Sequence, residues 1–312
     1  MFMFHHFRLP SIWKTSHRRN YYMSTFFAIA SAFLYALSNV LTRVGLRYAS
    51  TSSGVIISLS SCFGTVLIYC LFTTSLDQYL NRGFFFFLAA GIIGPFFGRL
   101  LLYKGIERVG TAIASTLYED KPLFSVIAAV IVLGEALSLP IFLGLSLMVA
   151  GAAIVSLEKS GGQIERNWSK KDLIFPLAAG ACYGVSHALR KLGLNITPSP
   201  VVGVMVQNIG AIAFVPILAL TRMNQGKILP NHRNAWLLFG LMGILQVLAQ
   251  WCLFKALEIG KVVVVSPLSS LSTFFVLILT ALFLHDLEKV TWKIVLGAVF
   301  VVSATLILTL KT

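Results

Sequence analysis

Charge is scarce in this chain. Only 12% of its 312 residues are charged, against 57% that are hydrophobic, roughly half the charged share of a water-soluble fold. That shortage excludes an aqueous globular domain. Acids are scarcer still: 11 Asp and Glu stand against 25 Lys and Arg, for a formal net charge of +14. The basic excess is scattered over short loops, so it fits anionic lipid headgroups and not nucleic acid. The four cysteines, Cys62, Cys70, Cys182 and Cys252, lie inside apolar stretches without the paired spacing of a metal site or a disulfide framework. They read as small core hydrophobes. A His/Asp/Glu metal constellation, a Ser/His/Asp arrangement and a glycine-rich phosphate loop are all missing from the pattern, which argues against a membrane enzyme and calls for no cofactor or metal.

What the chain has is long apolar runs. A bilayer core of roughly 30 Å is crossed by about 20 helical residues. Ten stretches meet this: Phe26 to Leu46, Gly54 to Phe72, Phe84 to Tyr103, Ala112 to Leu133, Pro140 to Leu157, Leu173 to Leu194, Val201 to Leu220, Ala235 to Phe254, Val262 to Leu284 and Trp292 to Leu310. The runs are continuous instead of alternating, and lipid offers no water to unpaired backbone groups, so helices are expected and a β-barrel is not. The expected class is an all-α integral membrane protein of ten transmembrane helices.

The chain also repeats itself. Tyr35-Ala-Leu-Ser-Asn-Val-Leu-Thr-Arg-Val-Gly-Leu46 aligns without a gap on Tyr183-Gly-Val-Ser-His-Ala-Leu-Arg-Lys-Leu-Gly-Leu194, Tyr103-Lys104-Gly-Ile-Glu107 on Phe254-Lys255-Ala-Leu-Glu258, and Glu135 with Gly144 on Glu288 with Gly297. Three blocks in order mark a tandem duplication. The expected organisation is a basic N-terminal tail (1–22), a first five-helix repeat (23–157), a polar linker (158–172) and a second five-helix repeat (173–312). The tail reads either as a cytoplasmic basic arm or as an extension upstream of a start at Met23, and not as a cleaved signal. An odd number of crossings per copy inverts one copy relative to the other, an arrangement that places a site at mid-membrane between the halves. Lys and Arg divide too evenly between the two sides for the inside-positive bias to set the orientation.

Each charge inside a span costs about 2.5–3.5 kcal/mol on insertion scales. Glu119, Asp120 and Lys121 precede Pro122 in the fourth span, and Arg99 follows Gly94-Pro95 in the third. Arg99 lies at a depth from which it can pair with Glu119 or Asp120 across antiparallel helices. The cluster reads either as the lining of a cavity that binds a charged substrate group, with Glu119 carrying a coupling proton, or as an internal ion pair fixing two helices, with Lys121 snorkelling. The repeat register sets Gln250 opposite Arg99 and Gln246 opposite Pro95; both glutamines read as substrate contacts or as interhelical glue. Asn39 and His187 are equivalent, following Ser38 and Ser186. A lone His is a packing residue or a proton relay. Small residues such as Gly91, Gly94, Gly144 and Gly151 read as helix-packing positions, and the run Phe84 to Phe87 as an interfacial or lipid-facing belt.

These blocks resemble the EamA-type branch of the drug/metabolite transporter superfamily over nearly the whole chain after Met23. The most specific stretch is Leu102-Tyr-Lys-Gly-Ile-Glu-Arg-Val-Gly-Thr-Ala through Pro122-Leu-Phe, then Leu133-Gly-Glu135-Ala-Leu-Ser and Gly144. The resemblance implies ten helices with both termini cytoplasmic, a central cavity, and proton-coupled or exchange transport of metabolites or drugs. It implies a structural role for Glu135 and Glu288 and names no substrate. The sequence departs from the family pattern in the charged triplet before Pro122, and in having Ser272 where a second proline would stand.

A secondary transporter in the cell membrane, working by alternating access, is therefore expected, and a non-transporting scaffold subunit is the competing class. Arg99 and Lys121 balance Glu119 and Asp120, which favours an amino acid-like zwitterion; an anionic or phosphorylated metabolite follows instead if the acids pair internally. The expected partners are a small-molecule substrate, the lipid bilayer and a coupling proton, with a homodimer left open.

Overall fold

The structure is a computed structural model that describes residues 11–74, 81–134, 139–156, 168–223, 229–284 and 291–310. Glu135 and Glu288, and most of the linker expected at 158–172, lie outside these residues.

Among the described residues every regular element is helical. In chain order they are α1 (Ser11–Gly45), α2 (Thr51–Thr73), α3 (Gly83–Gly91), a π-helical stretch (Ile92–Gly98), α4 (Arg99–Val109), α5 (Thr111–Tyr118), α6 (Lys121–Leu133) and α7 (Leu139–Ser156). A 3₁₀ turn (Lys170–Leu173) then opens α8 (Ile174–Ile196), followed by α9 (Pro200–Ile212), α10 (Val215–Met223), α11 (Arg233–Ile259), α12 (Val262–Ser269), α13 (Ser272–Phe283) and α14 (Trp292–Leu310). Two boundaries differ from expectation. α1 starts at Ser11, so part of the basic tail is helical, and helical winding begins again inside the linker, where Asp172 accepts from the Ser169 N–H at 2.9 Å.

Local chemistry sets the ends. Ser50 caps α2 by accepting from the Ser53 N–H, and Ser199 caps α9 ahead of Pro200, the same device at equivalent helices of the two copies. Gly110, at φ 87°, separates α4 from α5, and Gly134, at φ 66°, ends α6 in the left-handed conformation that glycine adopts without strain.

Among the described residues, five helices are long and apolar enough to cross a membrane: Tyr22–Gly45, Thr51–Thr73, Gly83–Val109, Pro200–Leu220 and Arg233–Ile259. Polarity is distributed inside out. Phe72 and Ile131 are 85% and 76% exposed, whereas Arg99 and Arg190 are 1% and 0% exposed. A surface of large apolar side chains over a charged interior suits lipid and not water.

Packing across the copies is reciprocal. α1 lies on α11, and its repeat equivalent α8 lies on α3 and α4; α2 meets α11 as α9 meets α3; α7 and α14 pack on each other. Glycines bring backbones together at these crossings. A Cβ on Gly91 would come within 1.9 Å of the Gln207 carbonyl oxygen, and one on Gly210 within 2.4 Å of the Leu88 carbonyl, so at these two points α3 and α9 touch main chain to main chain. The phenylalanine run is not a uniform belt. Phe85 faces outward at 71% exposure, but Phe87, two residues and about 200° further round the helix, is fully buried against Phe254 and Gly193.

Candidate functional site

The interior is organised around two helix interruptions. Pro122 lacks the N–H that would bond the residue 118 carbonyl, and the chain tightens into i→i−3 bonds from the Glu119 N–H to Thr116 (3.3 Å) and from the Asp120 N–H to Leu117 (3.2 Å). Glu119 and Asp120 therefore lie in the gap between α5 and α6. α12 and α13 are interrupted at the equivalent place without a proline there, with the Leu271 N–H bonded to Leu268 and the Thr273 N–H to Ser270, both at 3.2 Å.

The two gaps face each other. Ser272 donates to Glu119 Oε1 at 2.5 Å, Thr273 donates to the Ser115 carbonyl at 3.2 Å, and Ser125 meets Ser266 at 2.6 Å. Lys121 forms a 2.9 Å ion pair with Glu119 and sits 4.5 Å from the centre of the Tyr118 ring. Both members of the pair are buried, so a desolvated Lys121 depends on Glu119 for compensation. Asp120 turns the other way, with its Oδ1 over Gly180 of α8.

Arg99 does not pair with either acid. It leaves the π-helical stretch that contains Pro95, and its Nη1 lies 3.4 Å from Ser58 Oγ and 3.6 Å from Cys62 Sγ on α2, with Tyr183 as a further hydrogen-bond partner. The expected Arg99–Glu119 pair fails because the Pro122 break lets Lys121 fold back onto its own neighbour two residues away, which helical geometry would forbid. Cys62 is also more than a small hydrophobe, since it donates to the Gly243 carbonyl at 3.2 Å while receiving Arg99.

The other expected residues divide. Gln246 lies 4.0 Å from Cys62 Sγ, beside Arg99. Gln250 is engaged elsewhere: its Oε1 accepts from Gln207 at 2.5 Å and from Asn208 at 2.8 Å, which ties α11 to α9. His187 Nδ1 lies 3.2 Å from Ser266 Oγ, so α8 joins the Ser125–Ser266 contact. Asn39 is buried on α1 at 5% exposure.

Sequence reasoning missed Arg190. In the repeat block it aligns with Thr42 and stands next to a second basic residue near the end of a span, which gives it no mark of a site residue. Yet Tyr183, His187 and Arg190 follow the i, i+4, i+7 spacing of one helix face, a signal that could have found it. Its guanidinium stands 5.5 Å from the Phe254 ring.

Comparison with known proteins agrees with this architecture. The EamA-like transporter family model matches residues 23–157 and again 170–310. The chain is 23% identical over 229 residues to the pseudopaline exporter of Pseudomonas aeruginosa, in two strains, covering 73% of this chain and 76% of the exporter. One solved crystal structure shares the fold at a TM-score of 0.65 and 15% identity, over 91% of this chain and 94% of the other. Matched twice over by the family, with a charged interior inside an apolar surface, the chain belongs to the EamA-like transporter family, of the drug/metabolite transporter superfamily.

Proposed function

We propose that this protein is a secondary transporter that moves a small polar metabolite across the cell membrane by alternating access, through ten spanning helices arranged as two inverted five-helix repeats with both termini cytoplasmic. One observation carries the reading: side chains of both copies meet at opposed helix interruptions, where Ser272 of the second copy donates to the buried Glu119–Lys121 pair of the first. An enzyme would need a reacting constellation. A buried ion pair that helices from two sides can grip or release suits a solute pathway. The similarity to a pseudopaline exporter favours export as the direction.

Glu119 is the proposed carrier of a coupling proton, because protonation would dissolve its pair with Lys121 and weaken the contact between the copies. An amino acid-like zwitterion and an anionic metabolite both satisfy this interior through a carboxylate or phosphate group. The scaffold reading keeps one supporting observation, that Glu119 and Lys121 neutralise each other internally.

Reconstitution into liposomes tests the proposal. Exchange of a radiolabelled compound chosen from amino acids, dicarboxylates and sugar phosphates is expected, accelerated by a pH gradient and lost in both Glu119→Gln and Lys121→Ala. Full exchange in both variants would remove this site from the pathway, and protein-independent leakage alone would favour the scaffold.

A further inference from the structure

Resting on the transport reading, a charge preference follows from two buried arginines. Arg190 is fully buried, and Nε, Nη1 and Nη2 all lack a hydrogen-bond partner among the described residues. A guanidinium carries five N–H donors, and one aromatic ring 5.5 Å away does not replace the water they lose. Arg99 is held by neutral groups alone: Nε has no partner, Nη1 meets a hydroxyl at 3.4 Å and a thiol at 3.6 Å, and Tyr183 is its remaining hydrogen-bond partner. Neither arginine has a carboxylate within ion-pair distance among the described residues, because Glu119 is taken by Lys121 and Ser272.

The two guanidiniums share one environment. Tyr35 of α1 and Tyr183 of α8, which are repeat equivalents, each lie within electrostatic reach of both Arg99 and Arg190. Tyr183 is packed edge-on against Tyr118 at 5.3 Å, and Tyr118 carries Lys121 on its face. Arg190, without a hydrogen-bond partner, and Arg99, met only by neutral hydroxyl and thiol groups, form a desolvated donor set with no carboxylate of its own among the described residues. Such a set is complementary to an oxyanion, which accepts from guanidinium forks and supplies the missing negative charge.

We propose that Arg190 and Arg99 form an interior subsite for an oxyanion, and that the solutes this protein moves are small organic compounds bearing a carboxylate or phosphate group. The Lys121–Glu119 pair is neutral and the neighbouring Asp120 offsets one of the two arginines, so the interior keeps one net positive charge, which disfavours an organic cation. Arg190 is a binding residue in this scheme, and Arg99 shares the anion while remaining anchored to α2.

Binding is read on the purified protein in detergent, without a gradient, so it can hold or fail independently of transport. Tm is measured with sodium malonate, inorganic phosphate, short-chain phosphatidylglycerol and tetraethylammonium chloride at matched ionic strength. A Tm rise of about 4 °C or more is expected with malonate or phosphate, none with tetraethylammonium. The rise disappears in Arg190→Gln and returns at least half-way in Arg190→Lys, which keeps the charge and guards against a folding defect in the first variant. Larger response to malonate identifies a carboxylate solute, and larger response to phosphate a phosphorylated one. Equal shifts in wild type and Arg190→Gln, a response to the lipid alone, or no response to any oxyanion would overturn the proposal.

Discussion

Ser272 donates to Glu119 Oε1 at 2.5 Å, so a serine at the break of one copy holds the acid at the break of the other. Glu119→Gln removes the charge that compensates Lys121, and leaving one partner of a buried pair uncompensated costs about 3–5 kcal/mol. Flux in liposomes is expected to fall at least tenfold in Glu119→Gln and in Lys121→Ala, with membrane insertion retained. The double variant Glu119→Gln, Lys121→Met separates the two readings. It recovers thermal stability in either case, but recovers flux only if the pair is a mere clamp.

Gln250 joins α11 to α9 through two amides. Interhelical hydrogen bonds of this kind contribute about 0.6–2 kcal/mol. Gln250→Leu should lower stability by about 1 kcal/mol. A double-mutant cycle with Gln207→Leu should give coupling of the same order, and additive effects would show that the bond contributes nothing.

Gly91→Ala places a methyl group 1.9 Å from the Gln207 carbonyl oxygen, a main-chain atom that cannot swing aside. Overpacking usually costs about 1–3 kcal/mol, and more where the backbone itself must move. The variant is expected to yield less monodisperse protein and a lower Tm in detergent, whereas Gly240→Ala, with nothing within 4 Å, serves as the matched control and should be neutral.

Lys191 donates to the carbonyls of Leu257 at 2.7 Å and Gly260 at 3.0 Å, at the C-terminal end of α11. A cation there satisfies terminal carbonyls and opposes the helix dipole. Lys191→Met should cost about 1.5–3 kcal/mol, visible as a lower Tm. Lys104→Met and Lys255→Met, whose 2.9 Å pairs with Glu107 and Glu258 are partly exposed, should each cost under about 1 kcal/mol.

The helical class and the duplication were legible because apolar length and self-similarity are properties of the chain itself. The site was legible as composition but not as pairing. Arg99 and Glu119 were identified as buried charges, yet their depth along ideal helices predicted a contact that the break before Pro122 redirected, since an i,i+2 ion pair forms only where helical winding stops. Gln250 is the repeat equivalent of Arg99, and nothing in the sequence spacing sets its amide partners Gln207 and Asn208 on α9 against α11. Arg190 was hidden by its own repeat. Its equivalent Thr42 donates to the Ser38 carbonyl four residues back, a local solution open to a hydroxyl, so the block reads as packing, and only the fold shows the larger residue to be buried.

The glycine contact between α3 and α9 bears on motion. Where the main chains of two helices touch, neither can roll or slide at that point without collision, because no side chain lies between them there to repack. α3 and α9 come from different copies, so that seam behaves as a rigid plate shared by both halves. The alternating-access motion proposed above would therefore carry these two helices together and bend at the interrupted helices, where the hydrogen-bond ladder is already broken.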